Sequence, residues 1–180
     1  MRTRVGSAVV VAALLAGGGW YVSGPYVAMS GLRNAAVSGD AAELSERVDF
    51  PALRESIRAQ ASGALSRAAV DGAGPIGAIG AMFASAWIGP AVDALVTPES
   101  IAAMVQGRAP GGVRGTQTAT PAHELDVSTH WTSVSSVVAH VQGSEPGSPS
   151  IELTFAPRGG TWKLVGAHVP LEDFAPKNAR

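Results

Sequence analysis

Residues 5–32, VGSAVVVAALLAGGGWYVSGPYVAMSGL, carry no charged side chain, and Arg2 and Arg4 stand just before them. A basic start followed by an apolar core is the pattern of a signal sequence or a signal anchor. The strongest apolar run, residues 9–16, is short. A bilayer core takes about 20 helical residues, a length met only by including Gly17, Gly18, Gly19, Trp20 and Tyr21. The two aromatic rings would then sit at the far interface, where amphipathic rings are favoured. The expectation is a retained anchor over residues 1–23, with cleavage near Ala16, Gly17 and Gly18 as the alternative. Arginines at the extreme N-terminus stay on the cytoplasmic side. The chain after about residue 22 then faces the periplasm from the inner membrane, or is released there after cleavage. A buried core helix is disfavoured, because three consecutive glycines cost about 1 kcal/mol each in a helix interior.

Behind this segment, a chain of 180 residues leaves room for one domain. With 46% apolar and 15% charged residues it can build a core. The net charge of −1 supplies no field for nucleic acid. The absence of cysteine excludes disulfides, thiolate metal sites and cysteine nucleophiles.

Residues 24–106 read as helical. Pro25 is suited to opening a helix, with Tyr26, Met29, Leu32, Ala36 and Val37 at helical spacing and Gly39 closing it. Asp40 with Glu43 caps a short second helix ending near Val48. Asp49 and Pro51 start a long third one with an apolar stripe at Leu53, Ile57, Ala61, Ala64 and Leu65. Pro51 should hold Phe50 extended, with its ring in the helix junction. Residues 70–75 read as a loop, residues 76–89 as an uncharged buried helix, and residues 90–96 as a brief helical piece. A second membrane span over residues 76–89 is too short and too weakly hydrophobic. Thr97, Pro98 and Glu99 start a further helix. Residues 107–122, rich in Gly, Pro and Thr, read as a linker.

Over residues 123–170 the apolar period becomes two. HWTSVSSVVAHV reads as a strand, GSEPGSP as a turn, and IELTF and TWKLVGAHV as a hairpin around Arg158, Gly159 and Gly160. Residues 171–180 form a tail. Helices first and an antiparallel set last indicate an α+β fold: an apolar anchor helix, several helices, then a small antiparallel sheet packed against them.

Three segments together, GPYVAMSGLRNAAVSGDAAELSERVDFPALRESI, TPESIAAMVQG and LTFAPRGGTWKLVGAHVP, resemble the bacterial family of domain of unknown function 2939. In that family an apolar segment leads into a Ser-Pro-Tyr-like start, an Ala/Asp helix pair and a Val-Asp-Phe-x-x-Leu-Arg junction. Gly24 stands here where serine or another small residue is expected, a mild departure. The resemblance implies an exported or membrane-anchored bacterial protein and brings no activity, cofactor or catalytic residue.

Candidate chemistry is sparse. Asp49 should cap the third helix and Arg54 should close a salt bridge on it. The functional alternative is a clamp for an anion or a peptide carboxylate using Arg47, Asp49 and Arg54. His130 and His140, read on one strand, lie too far apart for one metal, and His123 and His168 supply no zinc spacing. No G-x-S-x-G elbow and no phosphate-binding loop is present. Met82, Phe83, Trp87 and Met104 could line an apolar ligand pocket, though at this helical spacing core filling is the favoured reading. Trp131 and Trp162 read as sheet core. The expected function is a non-catalytic, membrane-anchored extracytoplasmic module, without cofactor or metal, that binds a protein or envelope partner. The alternatives are a small apolar ligand pocket and, behind it, a hydrolase using His130 with Asp126.

Overall fold

A computed structural model describes the backbone of residues 2–72, 74–105, 125–143 and 150–168. It describes the side chains of residues 17–67, 84–103, 126–142 and 150–168. Helices α1 (Arg2–Ser38), α2 (Ala41–Arg47), α3 (Phe50–Gly72), α4 (Gly74–Leu95) and α5 (Pro98–Val105) precede four strands. These are β1 (Leu125–Ser133), β2 (Ser136–Gly143), β3 (Ser150–Arg158) and β4 (Thr161–His168), paired in chain order as an antiparallel meander. The α+β class is as the sequence indicates. Several of its element boundaries are not.

Pro25 does not open a helix; it lies inside α1, which runs unbroken from Arg2. A mid-helix proline forfeits one backbone hydrogen bond at about 3 kcal/mol. Burial offsets that cost, since Pro25 is among the most completely buried side chains, and Ala28, Ala35 and Ala36 are buried too. Gly39 ends α1 as expected. Its φ of 70° is one that L side chains resist. Its N–H donates to the Ala36 carbonyl at 3.2 Å and the Asp40 N–H to the Ala35 carbonyl at 2.9 Å, a Schellman closure.

The next two caps also follow the sequence. Asp40 Oδ1 accepts from the Glu43 N–H at 3.0 Å, and Asp49 Oδ1 accepts from the Ala52 N–H at 3.1 Å. Phe50, however, is not extended; it is the first residue of α3. The residue with extended dihedrals is Val48, at φ −116° and ψ 133°. With Asp49 as the cap, Pro51 still falls in the first turn, where its missing N–H has no helical acceptor to serve. The Phe50 ring is buried in the junction as expected. Between the helices the Asp49 N–H donates to the Leu164 carbonyl at 2.8 Å, so the corner is laced to β4.

The loop expected at residues 70–75 is taken up by helix: α3 continues to Gly72, and α4 begins at Gly74 with Pro75 in its first turn. Ala73 lies outside the described residues. The brief segment after Pro90 is likewise no separate element, since Pro90 lies within α4 and Val92 anchors its last turns in the core. Nor is α4 enclosed. Ala84, Ala86 and Trp87 are exposed, because α4 packs beside α3 and no described element covers its other side.

HWTSVSSVVAHV proves to be two strands. The chain turns at Val134 and Ser135, so His130 and His140 stand on neighbouring strands. Serine and threonine side chains supply the turn chemistry that glycine or proline would otherwise advertise. Ser133 Oγ accepts from the Ser135 N–H at 3.2 Å, and Thr132 Oγ1 donates to the Ser136 carbonyl at 3.2 Å. The β3–β4 turn is the expected one, with Gly159 and Gly160 at φ 59° and 86°. Its apolar face, Val137, Phe155, Trp162 and Leu164, meets Phe50, Leu53 and Ala28 in the main core.

No helix among the described residues is long and apolar enough to cross a membrane. The side chains of the strongest apolar run, residues 9–16, lie outside the described set. So do the expected linker at 107–122, the turn at 144–149, His123 and the tail at 171–180.

Candidate functional site

The α2–α3 corner carries the residues that the sequence singles out, and the structure sends them to three different partners. Arg47 turns back on its own helix: its Nε donates to Glu43 Oε1 at 2.8 Å. Asp49 divides its carboxylate, Oδ1 capping α3 and Oδ2 accepting from Arg158 Nε at 3.2 Å. Arg54 does not bridge Asp49. Its Nε donates to the Val96 carbonyl at 3.0 Å and lies 3.7 Å from Asp93 Oδ1, while its guanidinium sits 5.8 Å from the Phe50 ring centre. In the first turn of α3 it faces the end of α4, and Asp49 faces the β3–β4 turn. Arg47, Asp49 and Arg54 therefore form no common clamp.

Arg158, which sequence spacing could not connect to Asp49, is the base that does meet it. An open pocket of about 380 Å³ lies there, lined by Ser45, Asp49, Phe50, Pro51, Arg158 and Lys163 among others. Its Ser45 hydroxyl donates to the Ala42 carbonyl at 2.6 Å. The capping carboxylate already pairs with Arg158. The chemistry is that of an ion-paired corner joining two helices to a strand turn.

The sheet holds a second polar group that the sequence reading missed. The His130 and His140 rings stack, centroids 4.8 Å apart at 20°. His140 pairs across the sheet with Glu152, and Glu152 with His168. Residues directly opposite in antiparallel strands share a face, so His140, Glu152 and His168 form one row across the meander, and His130, opposite Val138, joins them on the same face as the diagonal neighbour of His140. His140 Nδ1 lies 3.5 Å from Glu152 Oε1. Only the register reveals the row, and no linear spacing does. Among the described residues no group of three His, Cys, Asp or Glu is placed to hold a metal ion. Asp126 stands four residues before His130 on β1, roughly 13 Å away at strand rise, so the two do not meet as a catalytic pair.

The apolar pocket is not formed by Trp87, whose side chain is 72% exposed. The side chains of Met82, Phe83 and Met104 lie outside the described residues. The aromatic residues gather elsewhere. Trp162 is buried as expected, but Trp131 is 38% exposed, and both meet Tyr21 of α1. Ring centroids are 5.4 Å apart for Tyr21 with Trp162 and for Trp131 with Trp162. Gly24 lies against this cluster: a Cβ there would come 2.6 Å from Trp162 Nε1. That contact explains why the small residue the resemblance leads one to expect is here a glycine.

The family model described as protein of unknown function (DUF2939) matches residues 14–104, half of the chain. The chain belongs to this family. The DUF2939 match takes in most of α1 and runs through α2, α3 and α4 into α5. It stops before the sheet, so the resemblance read in LTFAPRGGTWKLVGAHVP falls outside it. No curated protein and no solved structure matches the chain.

Proposed function

We propose that this DUF2939 chain is a non-catalytic module held at the inner membrane by α1, with its α+β domain on the periplasmic side, where it binds a protein or envelope partner. One observation carries the reading: the apolar N-terminal segment and the first core helix are the same helix. α1 continues from Arg2 to Ser38, and its second half buries Pro25, Ala28, Ala35 and Ala36. From Arg2 to Tyr21 the helix rises about 29 Å at 1.5 Å per residue, close to the roughly 30 Å of a bilayer core. That span carries no charge after Arg4. Continuous helix through Gly17, Gly18 and Gly19 favours a retained anchor over a cleaved leader, since proteolysis needs an exposed, locally opened backbone.

The partner surface supported best is the flank of α4. Residues 72–92 are uncharged, and Trp87 and Leu95 are exposed there. An exposed aromatic on an uncharged helix is a suitable anchor for a protein interface. The test has two parts. Membranes from cells expressing the full chain should retain it through an alkaline wash; release into the wash removes the anchor. A photo-crosslinker at position 87 should capture one recurrent protein that a crosslinker at Ser66 does not. Equal capture at both positions refutes α4 as the partner surface.

A further inference from the structure

We infer that the turn between β1 and β2 is a second membrane contact, seated in the lipid headgroup region beside α1. This rests on the anchor reading and deepens it. The Tyr21 hydroxyl donates to the Val134 carbonyl at 2.7 Å, so the turn is tied to the helix where the apolar segment ends. Whatever depth Tyr21 takes in a bilayer, Val134 takes as well. Val134 is 84% exposed and Trp20 is 80% exposed. A valine at the tip of a two-residue turn gains nothing from water and has no role in the core.

The composition around it fits lipid. Residues 127–144 contain no Asp, Glu, Lys or Arg, and the one charged residue of β1, Asp126, stands at the end of the strand away from the β1–β2 turn. Trp131, half-exposed and 6.4 Å from the Tyr21 ring, adds a third aromatic at the same level. Tryptophan and tyrosine are the side chains that membrane interfaces favour. In an up-and-down meander the β1–β2 and β3–β4 turns lie at one end of the sheet. The other turn places Lys163 there as a basic side chain suited to lipid phosphates, next to Arg158 in its pair with Asp49. The occupant is therefore a lipid surface, reached because α1 leaves no spacer between bilayer and domain.

The natural chain has no cysteine, so single-cysteine variants carry one label each. Nitroxide labels at Ala13→Cys, Val134→Cys and Ser66→Cys of the full chain, reconstituted in phosphatidylcholine vesicles, report oxygen against aqueous nickel-complex accessibility. The expected result is a deep label at 13, an interfacial label at 134 and an aqueous label at 66. A label at 134 as aqueous as that at 66, with 13 still deep, overturns the second contact and leaves the anchor standing. Aqueous labels at both 13 and 134 overturn the anchor and the contact together. Val134→Asp gives an independent readout: tryptophan emission should shift to the red in vesicles but not in detergent micelles. No difference between the two media refutes the contact.

Discussion

Gly24→Ala sets two effects of known size against each other. In a helix interior alanine is about 1 kcal/mol better than glycine. Against that, the new Cβ would lie 2.6 Å from Trp162 Nε1 and 3.3 Å from its Cγ. The indole cannot swing aside freely, being buried and having Tyr21 and Trp131 each 5.4 Å away between centroids. Overpacking of this kind costs about 1–3 kcal/mol, and such a close approach to a wedged ring belongs at the upper end. Subtraction leaves a net loss of about 1–2 kcal/mol, or roughly 2–8 °C in Tm for a domain of this size. Thermal unfolding of the full chain in detergent, followed by near-ultraviolet circular dichroism, measures it directly. In a Trp162→Leu background the clash is gone, and the same substitution should stabilise by about 1 kcal/mol. That sign reversal is the coupling a double-mutant cycle reads. A higher Tm for Gly24→Ala in the natural background would refute the packing argument.

Three further outcomes follow from the caps and the corner. Asp49→Ala should cost about 1–2 kcal/mol by removing the α3 cap, and Asp49→Asn distinctly less, because an amide oxygen still accepts the Ala52 N–H; the partly exposed pairing with Arg158 adds little. Denaturant unfolding at equal m-values separates the two variants. Phe50→Ala should cost about 3–5 kcal/mol, since the ring is buried between two helices and β4. A loss under 1 kcal/mol in the same titration would mean that the junction collapses around the gap. Gly39→Ala should cost about 1–2 kcal/mol through the strain of a positive φ with a side chain, and an unchanged unfolding midpoint would contradict it.

What could be read from the sequence was local. Gly39, Asp40, Asp49 and the pair Gly159 and Gly160 announce themselves because a cap or a left-handed turn needs few residue types. The alternation in IELTF places Phe155 in the core for the same reason. Packing decides the rest. Pro25 and Pro90 carry a helix-breaking signal that burial of α1 and of the end of α4 overrides. The turn at Val134 contains neither glycine nor proline, so a hairpin passed for one strand. Arg54 lies five residues from Asp49 in sequence, yet its partners, Asp93 and Val96, come from the end of α4 and the residue that follows it. The row of His140, Glu152 and His168, with His130 diagonal to it, exists only once three strand registers are fixed. Arg47, Asp49 and Arg54 failed to converge because each satisfies a local structural demand of its own.

If α1 sets the height of the domain above the bilayer, that height should change with helix length and with nothing else. Gly17, Gly18 and Gly19 offer the place to test this, because a Cβ built on any of them meets no neighbouring atom within 4 Å. One helical turn of Glu-Ala-Ala-Lys between Gly19 and Trp20 adds about 6 Å at the α-helical rise. Its charges belong in the headgroup layer, so it cannot be absorbed by lengthening the buried segment. The contacts with the domain begin at Tyr21, beyond the insertion, and Tm in detergent should stay within about 1 °C of the natural chain, as for surface changes far from the core. A nitroxide at position 134 should meanwhile move from interfacial to aqueous accessibility, with the label at 13 unchanged. A flexible joint between membrane and domain predicts the opposite, with 134 finding the interface at either length. An unmoved label at 134, with 13 still deep, would dismiss the rigid helix as the element that orients the sheet.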